Sequence, residues 1–183
     1  MKTAIIIPAR MASQRFPNKP MAKINGIPMI ERVWRQGINS KAGDVYVACS
    51  EDEVFNLIVS NGGKAIMTDP NLPSGTDRVF AAFNLLDNKH DYESIINLQG
   101  DMPLIDYKNI QSANIPLQNG YEIGTIATGI SSNEIDRKLE QLRALDAGIK
   151  IGITYVENVP ISVDTVEDLM LIENILNSTD ENK

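Results

Sequence analysis

Residues 5–7 read Ile-Ile-Ile and stop at Pro8. Three consecutive β-branched residues suit a strand buried on both faces of a parallel sheet, and a proline, which brings no N–H to the ladder, ends it. The following stretch, ARMASQRFPNKP, carries Arg10, Arg15 and Lys19. Ligands of open α/β sheets sit just beyond the carboxyl ends of strands, so this loop is a candidate anion site. Three cations on one short loop repel each other unless an anion joins them, and a polyphosphate would relieve that repulsion. The plainer reading is a solvated basic loop.

Strand and helix patterns alternate after it. Strands are expected at 4–7, 44–48, 64–67 and 94–98, and helices at 29–38, 53–59 and 76–86. Ile30, Val33, Trp34 and Ile38 recur at helical spacing, and Asn61, Gly62 and Gly63 mark the end of the second helix. This order predicts an α/β fold: a doubly wound, mostly parallel sheet with right-handed crossovers, whose first half is a Rossmann-like nucleotide-binding layout. The second half is less regular, with strands expected at 124–130 and 151–156 and helices at 133–147 and 165–176. A length of 183 residues suits one domain with one core.

The net charge of -7 argues against nucleic acid as a general partner, because binding to a phosphate backbone relies on clustered Lys and Arg. A basic pocket in an acidic protein selects small anions. Cys49 and His90 are the only residues of their types, which excludes an intramolecular disulfide, a cysteine-rich metal framework and any chemistry needing a histidine pair. Cys49 reads as a core residue and His90 as a solvated loop residue. No apolar stretch is long enough to insert in a membrane, and a cytoplasmic protein is expected.

The loop pattern PAR..S.R.P.KP resembles the first motif of the sugar-activating cytidylyltransferases, above all the 3-deoxy-manno-octulosonate cytidylyltransferases, or CMP-KDO synthetases. Further segments agree in order: NGIPMI at 25–30, LPSGTDR at 72–78, NLQGDMP at 97–103, then KLEQLRAL and VPISVDTVEDL. The resemblance implies a nucleotide-diphospho-sugar transferase-like fold and attack of a sugar's anomeric hydroxyl on the α-phosphorus of CTP, feeding lipopolysaccharide biosynthesis. It also implies CTP and an acidic 2-keto sugar as partners, Mg²⁺ as cofactor, and a homodimer. Two alternatives stand beside it: a synthetase acting on an acylneuraminate, and a CTP-binding remnant without catalysis.

Residue by residue, the resemblance makes Arg10 and Lys19 the groups that neutralise the triphosphate, and Asp101 and Asp164 the metal ligands. Two carboxylates at strand ends also suit a hard divalent cation on chemical grounds, although each could instead cap a helix or turn. Ala9, Ser74, Gly75, Thr76, Arg78, Gln99 and Gly100 match the nucleotide-side motifs. The plainer reading there is a helix start capped by Ser74 with Asp77 in its first turn. Arg15 matches the phosphate cradle or the approach of the sugar acid. Glu140 and Gln141 match the sugar-binding EQLR segment, on a helix whose Leu139, Leu142 and Leu145 otherwise form an ordinary buried stripe.

The chain departs from that family at one place. Its members carry on the order of sixty further residues between the strand at 124–130 and the following helix, including segments reading ALYFSR and HxGxYG(F/Y)R. Neither segment occurs here. Either the chain carries an internal deletion near 131–137, or two pieces are joined there across an omitted stretch.

Overall fold

The computed structural model describes residues 1–12, 15–128, 145–158 and 161–180. Its centre is a four-stranded parallel sheet in the order β5-β4-β1-β6, formed by β1 (Thr3–Pro8), β4 (Asp44–Cys49), β5 (Lys64–Met67) and β6 (Ser94–Asn97). Strand β1 pairs with β4 on one side and β6 on the other. Its side chains alternate between two cores, as a strand buried on both faces must. Ile5 and Ile7 pack with Ile30, Val33 and Trp34 of α1 (Met29–Ser40), Val54 and Ile58 of α2 (Asp52–Ser60), and Ile110 of α4 (Tyr107–Ser112). Ala4 and Ile6 face Val79 and Ala82 of α3 (Gly75–Asn84). Helices thus cover both faces, and the doubly wound layout expected from the alternating pattern is present.

Helix boundaries follow local chemistry. Helix α1 starts after Pro28, and Lys41 (φ 52°) closes it in the left-handed region. Helix α2 ends at Asn61, followed by Gly62 at φ +80°, a conformation that costs glycine little. Cys49 lies in the core at 0% exposure, and His90 is exposed on a short 3₁₀ turn, both as the sequence implied.

The observed ends shift several expected elements. The first helix runs two residues longer than expected, and the 94–98 strand ends at Asn97. The second half departs further. Strands β7 (Ile123–Ala127) and β8 (Ile151–Tyr155) pair in parallel with each other as a separate two-stranded sheet. The small helix α5 (Ile115–Gln118) packs against it, with Pro116 seated where Gly124 and Gly152 leave room: a Cβ on Gly152 would come within 2.5 Å of Pro116. The helix expected at 133–147 lies mostly outside the described residues.

A hairpin absent from the sequence reading, β2 (Lys23–Ile24) and β3 (Ile27–Pro28), turns at Asn25 (φ 47°) and Gly26 (φ 80°), the Asn-Gly pair that such a two-residue turn favours. The final helix, α6 (Val166–Asp180), packs beside it. Ile24 and Met29 share a third core with Val163 and Ile172, and Glu173 accepts from the Asn25 N–H at 3.1 Å. This small core carries the start of the last helix to the carboxyl end of the central sheet.

Candidate nucleotide site at the carboxyl end of the sheet

The basic loop leaves β1 at Pro8, and Ala9 extends the strand by one hydrogen bond, its N–H donating to the Ala48 carbonyl at 2.8 Å. The loop closes as the Asn18 N–H donates to the Met11 carbonyl, and the 3₁₀ turn Lys19–Met21 begins after Asn18 in the left-handed region (φ 58°). That turn directs Lys19 inward. Its ammonium lies 2.9 Å from Asp101 Oδ2, 2.8 Å from the Val163 carbonyl and 3.5 Å from Asp164 Oδ1. Arg15 Nη2 lies 3.3 Å from Asp164 Oδ1.

Asp101 and Asp164 reach this point from well-separated parts of the chain. Asp101 follows Gly100, where the chain passes so close to β1 that a Cβ would lie 2.6 Å from the Pro8 carbonyl oxygen. Only glycine fits that approach. The Val163 N–H donates to the Asp101 carbonyl at 2.8 Å, tying the two acidic segments together by backbone. Asp164 is not the cap of α6. Thr165 Oγ1 accepts from the Asp168 N–H, and Asp168 Oδ2 accepts from the N–H groups of Asp164 and Thr165 at 2.8 Å each. This reciprocal capping box leaves the Asp164 carboxylate free of capping duty. The two donated N–H bonds, led by that from Asp164, hold the Asp168 carboxyl below the usual carboxylate range.

Two hard carboxylates meeting at one cationic position are suitable ligands for a divalent metal. Among the described residues no group of three or more His, Cys, Asp or Glu forms a metal cage. Any ion here would complete its shell with ligand oxygens and water, which is how Mg²⁺ is usually held.

The nucleotide-side segment stands across β1. Ser74 caps α3 by accepting from the Asp77 N–H at 3.1 Å, and its hydroxyl donates to Asp77 Oδ2 at 2.7 Å. The plainer reading of Ser74 and Asp77 is therefore present in the fold. It leaves Gly75 against Pro8, where a Cβ would stand 3.5 Å from the proline ring, so Gly75 and Gly100 flank the same strand end. Asn97 joins the two sides, donating to Thr76 Oγ1 at 3.4 Å and accepting from Gln99 Nε2 at 3.1 Å. Ser74, Thr76 and Gln99 together form one end of a large groove.

Arg78 occupies a different layer. It is 1% exposed, and its Nη1 donates to Thr68 Oγ1, which donates in turn to the Cys49 carbonyl. Burial, opposed by Glu51 and reinforced by Arg10, lowers its pKa. Its Nη2 is buried without a hydrogen-bond partner, as is Glu51 Oε2. Arg78 thus braces the ends of β4 and β5 beneath the loop. Arg10 is exposed on the loop itself. Glu140 and Gln141 lie outside the described residues.

Sequence reasoning did not single out the Val163 carbonyl, Glu51, Asn97 or Asp168. The T-x-x-D spacing at 165–168 was a legible capping signal. The other three act through position alone.

A family model described as cytidylyltransferase matches residues 4–149. A 3-deoxy-manno-octulosonate cytidylyltransferase of Paramagnetospirillum magneticum is 34% identical over 230 residues, covering 90% of this chain and 94% of the relative. One from Rickettsia prowazekii is 34% identical over 227 residues, with 91% and 92% covered. Among solved structures, a CMP:2-keto-3-deoxy-manno-octonic acid synthetase complexed with CTP superposes with a TM-score of 0.85 at 25% identity, covering 98% of this chain and 100% of that one. No helix among the described residues is long and apolar enough to cross a membrane. With a strand-end basic loop, paired carboxylates and a matching family model over most of its length, the chain belongs to the cytidylyltransferases.

Proposed function

We propose that this protein couples CTP to 3-deoxy-manno-octulosonate in the cytoplasm, giving CMP-KDO and pyrophosphate for lipopolysaccharide biosynthesis. The observation that carries the reading is the convergence of Lys19, Asp101 and Asp164 at the end of β1, beside a loop that also bears Arg10 and Arg15. In the reaction the anomeric oxygen of the sugar bonds to the α-phosphorus of CTP while the bond from that phosphorus to pyrophosphate breaks, and the hydroxyl's proton passes to solvent. Transfer of this kind depends on positioning and charge stabilisation and needs no covalent protein nucleophile.

The roles proposed for the described residues follow from where they lie. Lys19 and Arg10 would neutralise the triphosphate and stabilise the charge that accumulates on departing pyrophosphate. Asp101 and Asp164 would hold Mg²⁺, which when bound would neutralise phosphate charge and orient the α-phosphate. Arg15, 71% exposed at its side chain, is placed to meet an incoming acid or a phosphate. The Ser74–Thr76 turn and Gln99 line the nucleoside end, where a glycine at 75 lets a ribose or base come close. Glu140 and Gln141 are assigned to the sugar acid on their match to the family motif.

The relatives also support an internal deletion. The P. magneticum alignment spans 230 positions, whereas 90% of this 183-residue chain is about 165 residues. The relative therefore holds on the order of sixty residues more inside the aligned span. Removing groups that orient an acceptor raises a barrier steeply, since orientation alone can be worth about 7–11 kcal/mol. Catalysis should therefore suffer more than CTP binding. The test is pyrophosphate release from Mg²⁺ and CTP, with and without the sugar acid, alongside CTP binding by calorimetry on mass-verified protein. Sugar-dependent release supports the reading. CTP binding with no release in any condition replaces it with a CTP-binding remnant.

A further inference from the structure

A groove of about 1240 Å³ runs from the nucleoside end of the site along β6 to β7, with α4 and α5 as its floor. Among the described residues, β6 is the last strand of the central sheet and β7 has a neighbour on one side only, β8. Residues 94–98 of the one edge and 123–126 of the other both line the groove. Just beyond β6, the Leu98 N–H donates to the Ile6 carbonyl at 3.1 Å. Backbone groups alternate in direction along a strand, so those of Asn97 and Ile95 turn away from β1 and toward the groove. The side chains there are incompletely covered: Ile95 is 39% exposed, and every residue of β7 is half-buried.

Two strand edges facing one trough form a slot for another strand. A five-residue strand fills about 17 Å by 4.8 Å by 10 Å, or about 800 Å³. The groove has room for such a strand. The length comparison says where such a strand is lacking. The P. magneticum relative holds residues inside the aligned span that this chain does not, and the expected junction follows directly on β7, one wall of the slot.

We propose that the groove between β6 and β7 is a strand-addition site that accepts, in trans, an extended segment of the block that the relatives hold within their own chain. Main-chain hydrogen bonds to both edges would supply the affinity, and alternate apolar side chains would cover Ile95 and the faces of β7. One end of the added strand would lie beside Ser74, Thr76 and Gln99, which places the supplied segment next to the nucleotide. The inference rests on the internal deletion but not on turnover.

The probe is a set of synthetic peptides tiling the part of the P. magneticum relative that has no counterpart in this chain, added to the full 183-residue protein. Native mass spectrometry reads stoichiometry, amide hydrogen exchange reads β6 and β7, and CTP binding is measured on the same sample. One tile is expected to bind one-to-one and to slow exchange at least tenfold in both strands. Ile95→Pro removes a groove-facing N–H while sparing the bonds to β1, and should weaken that tile at least tenfold with CTP binding unchanged. Should that variant fail to fold, the wild-type exchange pattern decides alone. No tile altering exchange in β6 and β7, or a peptide-free dimer that already protects both edges, would overturn the proposal. Loss of CTP binding in the wild type would instead count against the nucleotide reading.

Discussion

The Lys19 ammonium sits 2.9 Å from the Asp101 carboxylate, joining residues 82 apart in sequence, and the same nitrogen reaches Asp164 at 3.5 Å. One lysine is thus a counter-ion to both acidic groups, and Arg15 adds a second at Asp164, 3.3 Å away. Its side chain is 17% exposed and those of the aspartates are 27% and 38%, so solvent screens the pairs in part and their net contribution to stability is modest. On the proposed function their consequence is chemical, since a ligand that drew Lys19 to its phosphates would uncover Asp101 and leave Asp164 with Arg15 alone, opening both to a divalent cation.

Lys19→Ala should therefore have opposite effects on the two ligands. CTP affinity should fall by about tenfold or more, because the variant has no ammonium to donate a charge-assisted hydrogen bond to phosphate. Mn²⁺ alone, as a spectroscopic substitute for Mg²⁺, should bind the nucleotide-free variant more tightly than the wild type, because the competing ammonium is gone. Electron paramagnetic resonance titration of free Mn²⁺ checks the second effect and calorimetry the first. Equal Mn²⁺ affinity in both proteins would contradict the counter-ion role.

The two glycines flanking Pro8 should differ. A Cβ at Gly100 would stand 2.6 Å from a backbone oxygen, whereas one at Gly75 would make ordinary contact at 3.5 Å. Gly100→Ala is expected to cost about 1–3 kcal/mol through forced backbone movement and to displace Asp101. Gly75→Ala should fold with nearly unchanged stability, so any loss of CTP binding there reflects nucleotide approach. Urea unfolding of both variants reads the contrast.

These relationships show how far the sequence could be read. Ile5–Ile7 ending at Pro8 revealed the central strand, because a run buried on both faces leaves a compositional mark. Gly100 and Asp101 were visible as a strand-end pair, yet nothing in local pattern says that Val163 donates to Asp101 or that α6 packs on the 23–28 hairpin. Those contacts depend on a small core assembled from residues more than a hundred positions apart. The Asn25-Gly26 turn between Ile24 and Ile27 was a legible hairpin signal. Arg78 illustrates the opposite difficulty: its motif points to the nucleotide side, while its burial is a property of the fold.

Asp168 gives the site an acid-sensitive edge. Its carboxyl pKa is lowered by the N–H bonds from Asp164 and Thr165. A depressed folded-state pKa contributes stability that is fully present above the unfolded value and is lost as pH falls through the folded one. Asp168→Asn should therefore be less stable than wild type at pH 7, with the gap closing below about pH 4. Denaturant midpoints across that range test the sign, and a gap that widens in acid would refute it.

The Cys49 thiol should be inert. Burial, with the charge of Glu51 adding to it, pushes its pKa up to about 11, and it is 0% exposed. At pH 8 a disulfide reagent such as dithionitrobenzoate should react on the order of a hundredfold more slowly with native than with unfolded protein. Rapid labelling of native protein would show that the β4 end opens.

The most direct measurement is pyrophosphate release by the intact 183-residue protein from CTP, Mg²⁺ and 3-deoxy-manno-octulosonate, run beside Asp101→Asn. The account predicts release that requires both the metal and the sugar acid, and that falls about a hundredfold or more in the variant while its fold persists. Release indifferent to the sugar, or a variant as active as the wild type, would contradict the assignment of the Lys19, Asp101 and Asp164 cluster as the catalytic centre.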